Sequence, residues 1–480
     1  MKLAKKEYVK ILEACFKIAY LFLGLVTFNV FLYDSALQPI LVRICIVLGV
    51  ATILGRLLFF KSYWKTPYWI ALGIFCISFL ISMLANIRYG AFFSDFKWLI
   101  WMGFVFFILY ICDTTRTSQE YKKEFQICAH IMIIYSAISA AASLYLMIQS
   151  YQAMWYTENG ELLIAGFQWG RLWGIYTDPN YGGVFTTVSV LLCCYFVKCK
   201  KNYKKVPYLL FIVIDYLYIV FCDSRTAELA MVLAVSFWLI YTVIQKKGKK
   251  TILLRYMLIA LVFTGLFIGG TSALKLQYNN QIQQKFQEEE TEENLNTDAN
   301  IGDISTEDGS TQDYDAPLEN QIVGREEDIE EDISNGRLAL WSSGIEVWKT
   351  KAILGTGYNS FLPYVKENLP DIYAVNNSQG DYVSLHNEYL NILVYQGILG
   401  ASIFFIFIVM VIRRWIKTFP NISEDDRDYI GVLSACCSVV AVAMLFLLEG
   451  LHTNSPGVFV LWSFLGYLMH YSLQNQKNKG

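Results

Sequence analysis

Residues 381–412 read DYVSLHNEYLNILVYQGILGASIFFIFIVMVI, a polar stretch around Leu385-His386-Asn387-Glu388 that runs directly into an apolar span drawn at 386–412. Such a run, at about 1.5 Å per helical residue, is long enough to cross a hydrocarbon core of roughly 30 Å. Upstream of it lie Gly336-Arg337, Trp341, Trp348 and Gly355-Thr356-Gly357-Tyr358-Asn359. A polar segment rich in Arg, His, Gly and aromatics, hung between membrane helices, is where an integral membrane protein would keep an active site.

The rest of the chain reads the same way. Of 480 residues, 55% are hydrophobic and only 17% charged, against about a quarter charged in soluble domains. About twelve apolar runs of spanning length recur. They lie near 9–32, 38–60, 67–86, 96–113, 125–149, 181–198, 206–222, 225–245, 252–271, 386–412, 428–449 and 456–474. Continuous runs, with no ten-residue alternation, predict helices and exclude a barrel. The first is too long for a signal-peptide core and no small-residue cleavage site follows, so it is expected to remain as a helix. The expected fold is an all-α polytopic membrane protein of about 12 helices. Residues 1–271 hold helices 1–9, 272–385 form a large extracytoplasmic loop between helices 9 and 10, and 386–480 hold helices 10–12.

Orientation follows from Lys and Arg in the short loops. Every second loop is basic, from Lys2, Lys5 and Lys6 through Lys200, Lys201, Lys249 and Lys250 to Arg413, Arg414, Lys477 and Lys479. Those loops and both termini are expected in the cytoplasm. Arg171, Arg225 and Arg337 fall on the other face and need a local explanation, either a paired structural arginine or a ligand for an anion.

All 11 cysteines lie in or at the ends of apolar runs, which fits small buried hydrophobes. The 4 histidines show no metal-site spacing with cysteine and no HExxH, so a zinc site has no support. Residues 287–332 are strongly acidic and poor in aromatics, a composition that cannot offset its ordering entropy. They read as a disordered insertion, dispensable for chemistry; the EF-hand pattern of a calcium loop is absent. Beyond it, Ser334-Asn335-Gly336-Arg337 opens an amphipathic helix with Arg337 in its first turn. The Gly355-x-Gly357 turn is not a nucleotide fingerprint, because no strand precedes it in a βαβ unit. Asp178-Pro179-Asn180 signals a helix start after Gly170-Arg171, where an anion would be favoured, and Asp223-Ser224-Arg225-Thr226 marks another.

These blocks in this order resemble the O-antigen ligase and polysaccharide polymerase superfamily over roughly 165–412. The order is Arg171-x-x-Gly174 with Asp178-Pro179-Asn180, Ser224-Arg225-Thr226, Gly336-Arg337 with Trp341, Gly355-x-Gly357, His386-Asn387, and Gly397-Ile398-Leu399-Gly400. The acidic insertion departs from the family pattern. The resemblance implies a GT-C-like, metal-independent glycosyltransferase of the bacterial cytoplasmic membrane, without a cofactor. Its donor would be an undecaprenyl-diphosphate-linked glycan at the outer leaflet, and its acceptor a sugar hydroxyl. A polymerase joins repeat units into a capsular or exopolysaccharide; a ligase passes the glycan to another lipid or wall acceptor. Its other partners would be the lipid bilayer and further polysaccharide-assembly proteins; nucleic acid is not among them.

In that chemistry Arg171 and Arg337, then Arg225, would grip the diphosphate. His386 would act as general base on the acceptor hydroxyl, with Glu388 and Asp178 in reserve; the alternative is that His386 caps its helix. Asn180, Asn387, Trp341 and Tyr358 would contact substrate, and Trp348, Tyr364 and Tyr382 are further aromatics able to stack on sugars or to pack. Two rival classes remain: a flippase or other transporter, for which repeat-related halves and mid-membrane charges would be expected, and a sensor or scaffold that binds through the acidic loop.

Overall fold

The computed structural model describes residues 2–59, 62–158, 160–245, 250–297, 322–324, 336–378 and 380–477. Each apolar run holds a helix. In chain order these are α1 (Lys2–Thr27), α2 (Leu37–Phe59), α3 (Trp69–Ala85), α4 (Phe92–Phe104, continued by a π-helical stretch Val105–Tyr110), α5 (Ser118–Ile148), α6 (Pro179–Cys199), α7 (Val206–Phe221), α8 (Arg225–Gln245) and α9 (Lys250–Thr297). After the acidic insertion come α10 (Arg337–Thr350) and α11 (Phe361–Asn368), then α12 (Glu388–Thr418), α13 (Arg427–Ala443) and α14 (Pro456–Lys477). Among the described residues, 7 helices are long and apolar enough to cross a membrane. The chain is thus a mostly helical, polytopic membrane protein. Helix α9 runs on to Thr297, well past the loop start drawn at 272 and into the acidic segment. Most of 287–332 lies outside the described residues.

One region is not helical. Strands β1 (Gln152–Tyr156), β2 (Leu162–Gln168) and β3 (Arg171–Gly174) form an antiparallel sheet in the order β1-β2-β3. This sheet corrects the all-α reading. Strand β2 is buried along nearly its whole length, so it reads as a continuous apolar run without the two-residue alternation that marks a half-exposed strand. Gly174, at φ +63°, ends β3 where an added Cβ would lie 2.0 Å from Ser143 Oγ on α5. That contact sets the sheet on the end of the bundle where α5 stops and α6 starts.

Helix α12 is broken at Gly397, whose backbone is left-handed (φ 65°, ψ −169°). The turn after α10 lies against the break and takes up its free backbone groups. Thr356 N donates to Val394 O at 3.0 Å and Gly357 N to Tyr395 O at 2.9 Å, while Ile398 N donates to Ala352 O at 2.8 Å. Asn86, at the end of α3, adds a bond from Nδ2 to Gly355 O at 2.9 Å, and Ser82 Oγ donates to Tyr395 O at 2.7 Å. Unpaired backbone at membrane depth is costly, and such a break persists only where protein satisfies it. The Gly355-Thr356-Gly357 motif serves that purpose: a Cβ at Gly355 would lie 2.4 Å from the Tyr395 carbonyl carbon.

Candidate functional site

At the end of the bundle that carries the sheet, α5 stops and α6, α8, α10, α12 and α14 start. Asp178 caps α6, its Oδ1 accepting from Asn180 N at 2.7 Å and Tyr181 N at 3.0 Å. The helix start read from Asp178-Pro179-Asn180 is therefore present. Its first amides are already occupied by a carboxylate, so the anion favoured there is Asp178 itself. Arg171, 7% exposed, opens β3 and reaches this helix start: Nη2 donates to Asn180 Oδ1 at 2.7 Å and Nε to Cys222 O at 3.0 Å. Asn180 is accordingly a holder of Arg171. Arg225 is exposed at the first residue of α8. Beside it Asp223 and Glu228 pair with Lys275 of α9 at 2.6 and 3.1 Å.

Arg337 is the first residue of α10, behind Gly336 in a left-handed conformation. His386 does not open α12; it lies one residue before the cap, at φ +50°. Its amide donates to Ser384 Oγ at 3.3 Å. The cap is Asn387, whose Oδ1 accepts from Leu390 N at 3.1 Å. Buried Asn391 fixes the approach to His386: Oδ1 accepts from Leu385 N at 3.0 Å and Nδ2 donates to Ser384 Oγ at 3.1 Å. Trp341 adds a bond from Nε1 to Leu385 O at 3.1 Å, so it positions the His386 loop from α10.

Electrostatics shows which candidates converge. Burial, with the Arg337 guanidinium second, lowers the His386 imidazole below its ordinary value, against the pull of Asp178 and Glu449. Arg337 and Asp178 therefore lie within electrostatic reach of His386, and Arg171 with Asn180 is hooked to the helix start that carries Asp178. An imidazole kept neutral in this way has a free lone pair at neutral pH, while Arg337 opposes its lasting protonation. Tyr382 stands edge-on to the His386 ring, with centroids 5.9 Å apart.

Other candidates fall elsewhere. Tyr358 is 3% exposed and packs on Phe79 and Tyr395 at 4.8 and 4.7 Å, so it offers no face to a sugar. Tyr364 is buried with its hydroxyl on Thr350 Oγ1 at 2.7 Å, and Trp348 donates to Ala352 O at 3.2 Å. Glu388 is 1% exposed beneath the site; Asn391 Nδ2 donates to its Oε2 at 3.3 Å while Oε1 has no hydrogen-bond partner. Its charge meets that of Glu449, in the loop after α13. Glu449 in turn faces His452 Nε2 at 3.5 Å, and the His452 ring stacks on Trp98 at 3.8 Å. Glu449 escapes a reading by motif because it closes an apolar run and Glu388, whose charge it meets, lies far from it in sequence.

The arrangement is that of a membrane-embedded protein with arginines and a histidine gathered at one end of a helical bundle. Residues 209–405 match the family model described as O-antigen ligase, which bears out the resemblance to the O-antigen ligase and polymerase superfamily. The matched segment holds Arg225, Arg337 and His386 and leaves Arg171, Asp178 and Asn180 outside it. No curated protein matches the chain. The match supports glycan transfer at a membrane, of the O-antigen ligase or polymerase type.

Proposed function

We propose that this protein polymerises undecaprenyl-diphosphate-linked oligosaccharide repeat units into a surface polysaccharide at the outer face of the bacterial cytoplasmic membrane, with both termini in the cytoplasm. The observation that carries the reading is the electrostatic convergence of Arg337 and Asp178 on His386, with Arg171 tied to the same helix start. Arg171 and Arg337 hold the diphosphate and meet the charge that develops on it as the bond from the anomeric carbon to phosphate breaks. His386 removes the proton of the attacking hydroxyl as the new glycosidic bond forms, and undecaprenyl diphosphate leaves. The family description favours a second reading with the same residues: a ligase that passes the glycan to another lipid or wall acceptor.

Reconstituted protein given lipid-linked glycan extracted from a strain lacking it provides the test. A ladder of lengthening products supports polymerase; a single transfer to an added acceptor supports ligase. Movement of intact lipid-linked glycan across the bilayer with neither product would replace both readings with transport.

A further inference from the structure

The turn joining β2 to β3 uses a residue ill-suited to its shape. Gln168 pairs with Arg171, leaving a two-residue turn in which Trp169 (φ 51°) and Gly170 (φ 66°) are both left-handed. Turns of this kind favour Asn-Gly, and a bulky side chain at the first position is strained. Strain of this sort collects at sites where it serves a function. The Trp169 ring is 54% exposed and meets Trp173 edge-on, with centroids 5.8 Å apart and planes at 75°. Trp173 Nε1 is buried without a hydrogen-bond partner. Between the two indoles in sequence stands Arg171.

The turn is also braced from behind. Asn279 of α9 clasps Val323 with two bonds, Nδ2 to Val323 O at 2.7 Å and Val323 N to Oδ1 at 2.8 Å. The next residue, Gly324, donates from N to Gly170 O at 3.1 Å. A Cβ on Gly170 would lie 2.2 Å from Gly324 O, so strap and turn are in close contact. An exposed ring on a braced turn is held ready, which lowers the ordering cost of binding.

We propose that Trp169 and Trp173 form a carbohydrate-binding shelf for the sugar joined directly to the donor's diphosphate, with Arg171 between them on the diphosphate. This rests on the donor reading above. A glycosyl diphosphate presents an apolar ring face, hydroxyl oxygens and anionic oxygens; the shelf supplies an open indole face, an unused N–H donor and a guanidinium. A tryptophan that only anchors the protein at the membrane interface needs neither a left-handed backbone nor a braced turn.

Trp169→Asn separates shelf from fold, because it removes the ring while giving the turn its preferred residue. The proposal expects Trp169→Asn to raise KM for the extracted lipid-linked glycan about tenfold with kcat little changed, and Trp169→Tyr to restore most of the loss. Binding of undecaprenyl diphosphate without sugar should be unaffected. The shelf is overturned if Trp169→Asn leaves KM unchanged, if Trp169→Tyr is as poor as Trp169→Asn, or if sugar-free carrier is weakened equally. Less protein in the membrane at unchanged KM would make Trp169 an interface anchor. If wild-type protein binds neither carrier nor lipid-linked glycan, the donor reading falls first and takes the shelf with it.

Discussion

Two clusters of charge lie at opposite ends of α5, and they are built on different rules. Around its first turns, Glu13 accepts from Lys17 and Arg56, both at 2.9 Å, while Glu124 accepts from Lys17 at 2.7 Å, Arg116 at 2.8 Å and the Tyr467 hydroxyl at 2.8 Å. Glu13, Lys17 and Arg56 are each 1% exposed. Five charges from α1, α2, α5 and the loop before it close on one another, and α14 joins through Tyr467. At the other end Glu388 Oε1 lacks a hydrogen-bond partner, His452 Nε2 faces Glu449 at 3.5 Å, and Trp169 stands out from a strained turn. The first network balances carboxylates against cations, although the Nε atoms of Arg56 and Arg116 are left unbonded; the second end sets the carboxylates of Glu388 and Glu449 against each other. Buried charge alone does not separate the two ends, since both hold buried ionisable side chains.

The comparison breaks most visibly if the closed network proves dispensable. Glu13→Ala leaves Arg56 and Lys17 buried without their shared partner, a loss of about 3–5 kcal/mol. Folded protein should all but vanish from membranes, as measured by fluorescence-detected size exclusion; normal amounts with normal thermal stability would erase the distinction. His386→Ala should do the reverse. Protein level and donor binding stay near wild type, while product formation falls about 10²–10⁴-fold. A full-length product ladder from that variant would move the base to Glu388 or Asp178.

Smaller effects sharpen the site. Arg171→Lys and Arg337→Lys keep the charge but lose the planar fork, so each should cost about a hundredfold in rate, or roughly 3 kcal/mol. The pH dependence has a definite sign. With its pKa lowered by burial and then by Arg337, His386 stays neutral at neutral pH, so activity should fall only as pH drops through a value below the ordinary 6.5. Arg337→Gln removes one depressing charge, and the acidic limb of its residual rate should move to higher pH; no movement would separate Arg337 from the base. Deletion of residues 298–318, which spares Ile322–Gly324, should leave product length unchanged.

The helices were legible because long apolar runs recur, each holding a helix and 7 of the described helices long and apolar enough to cross a membrane, and a carboxylate before Pro179 announces a cap. That Arg171, Arg337 and His386 stand at or near the starts of β3, α10 and α12 could be read from the Gly-Arg and His-Asn motifs that precede those elements. The sheet was not, since β2 is buried on both sides and its turn lacks Asn-Gly. Nor was the role of Tyr358: a tyrosine in a polar loop looks available until the loop is seen to fold back on the break in α12. The partners Glu449 and His452 are brought to Glu388 only by the packing of α13 and α14.

That break has a mechanical meaning. Helix α12 is lashed to the turn after α10 on both sides of Gly397, through Val394 and Tyr395 before it and Ile398 and Leu399 after it, and to the end of α3. Arg337, at one end of α10, and His386, joined to α10 through Trp341, thus ride on the same body. Gripped on both sides of Gly397, the break acts as a rivet that fixes the start of α10 and the residues before α12 in one piece.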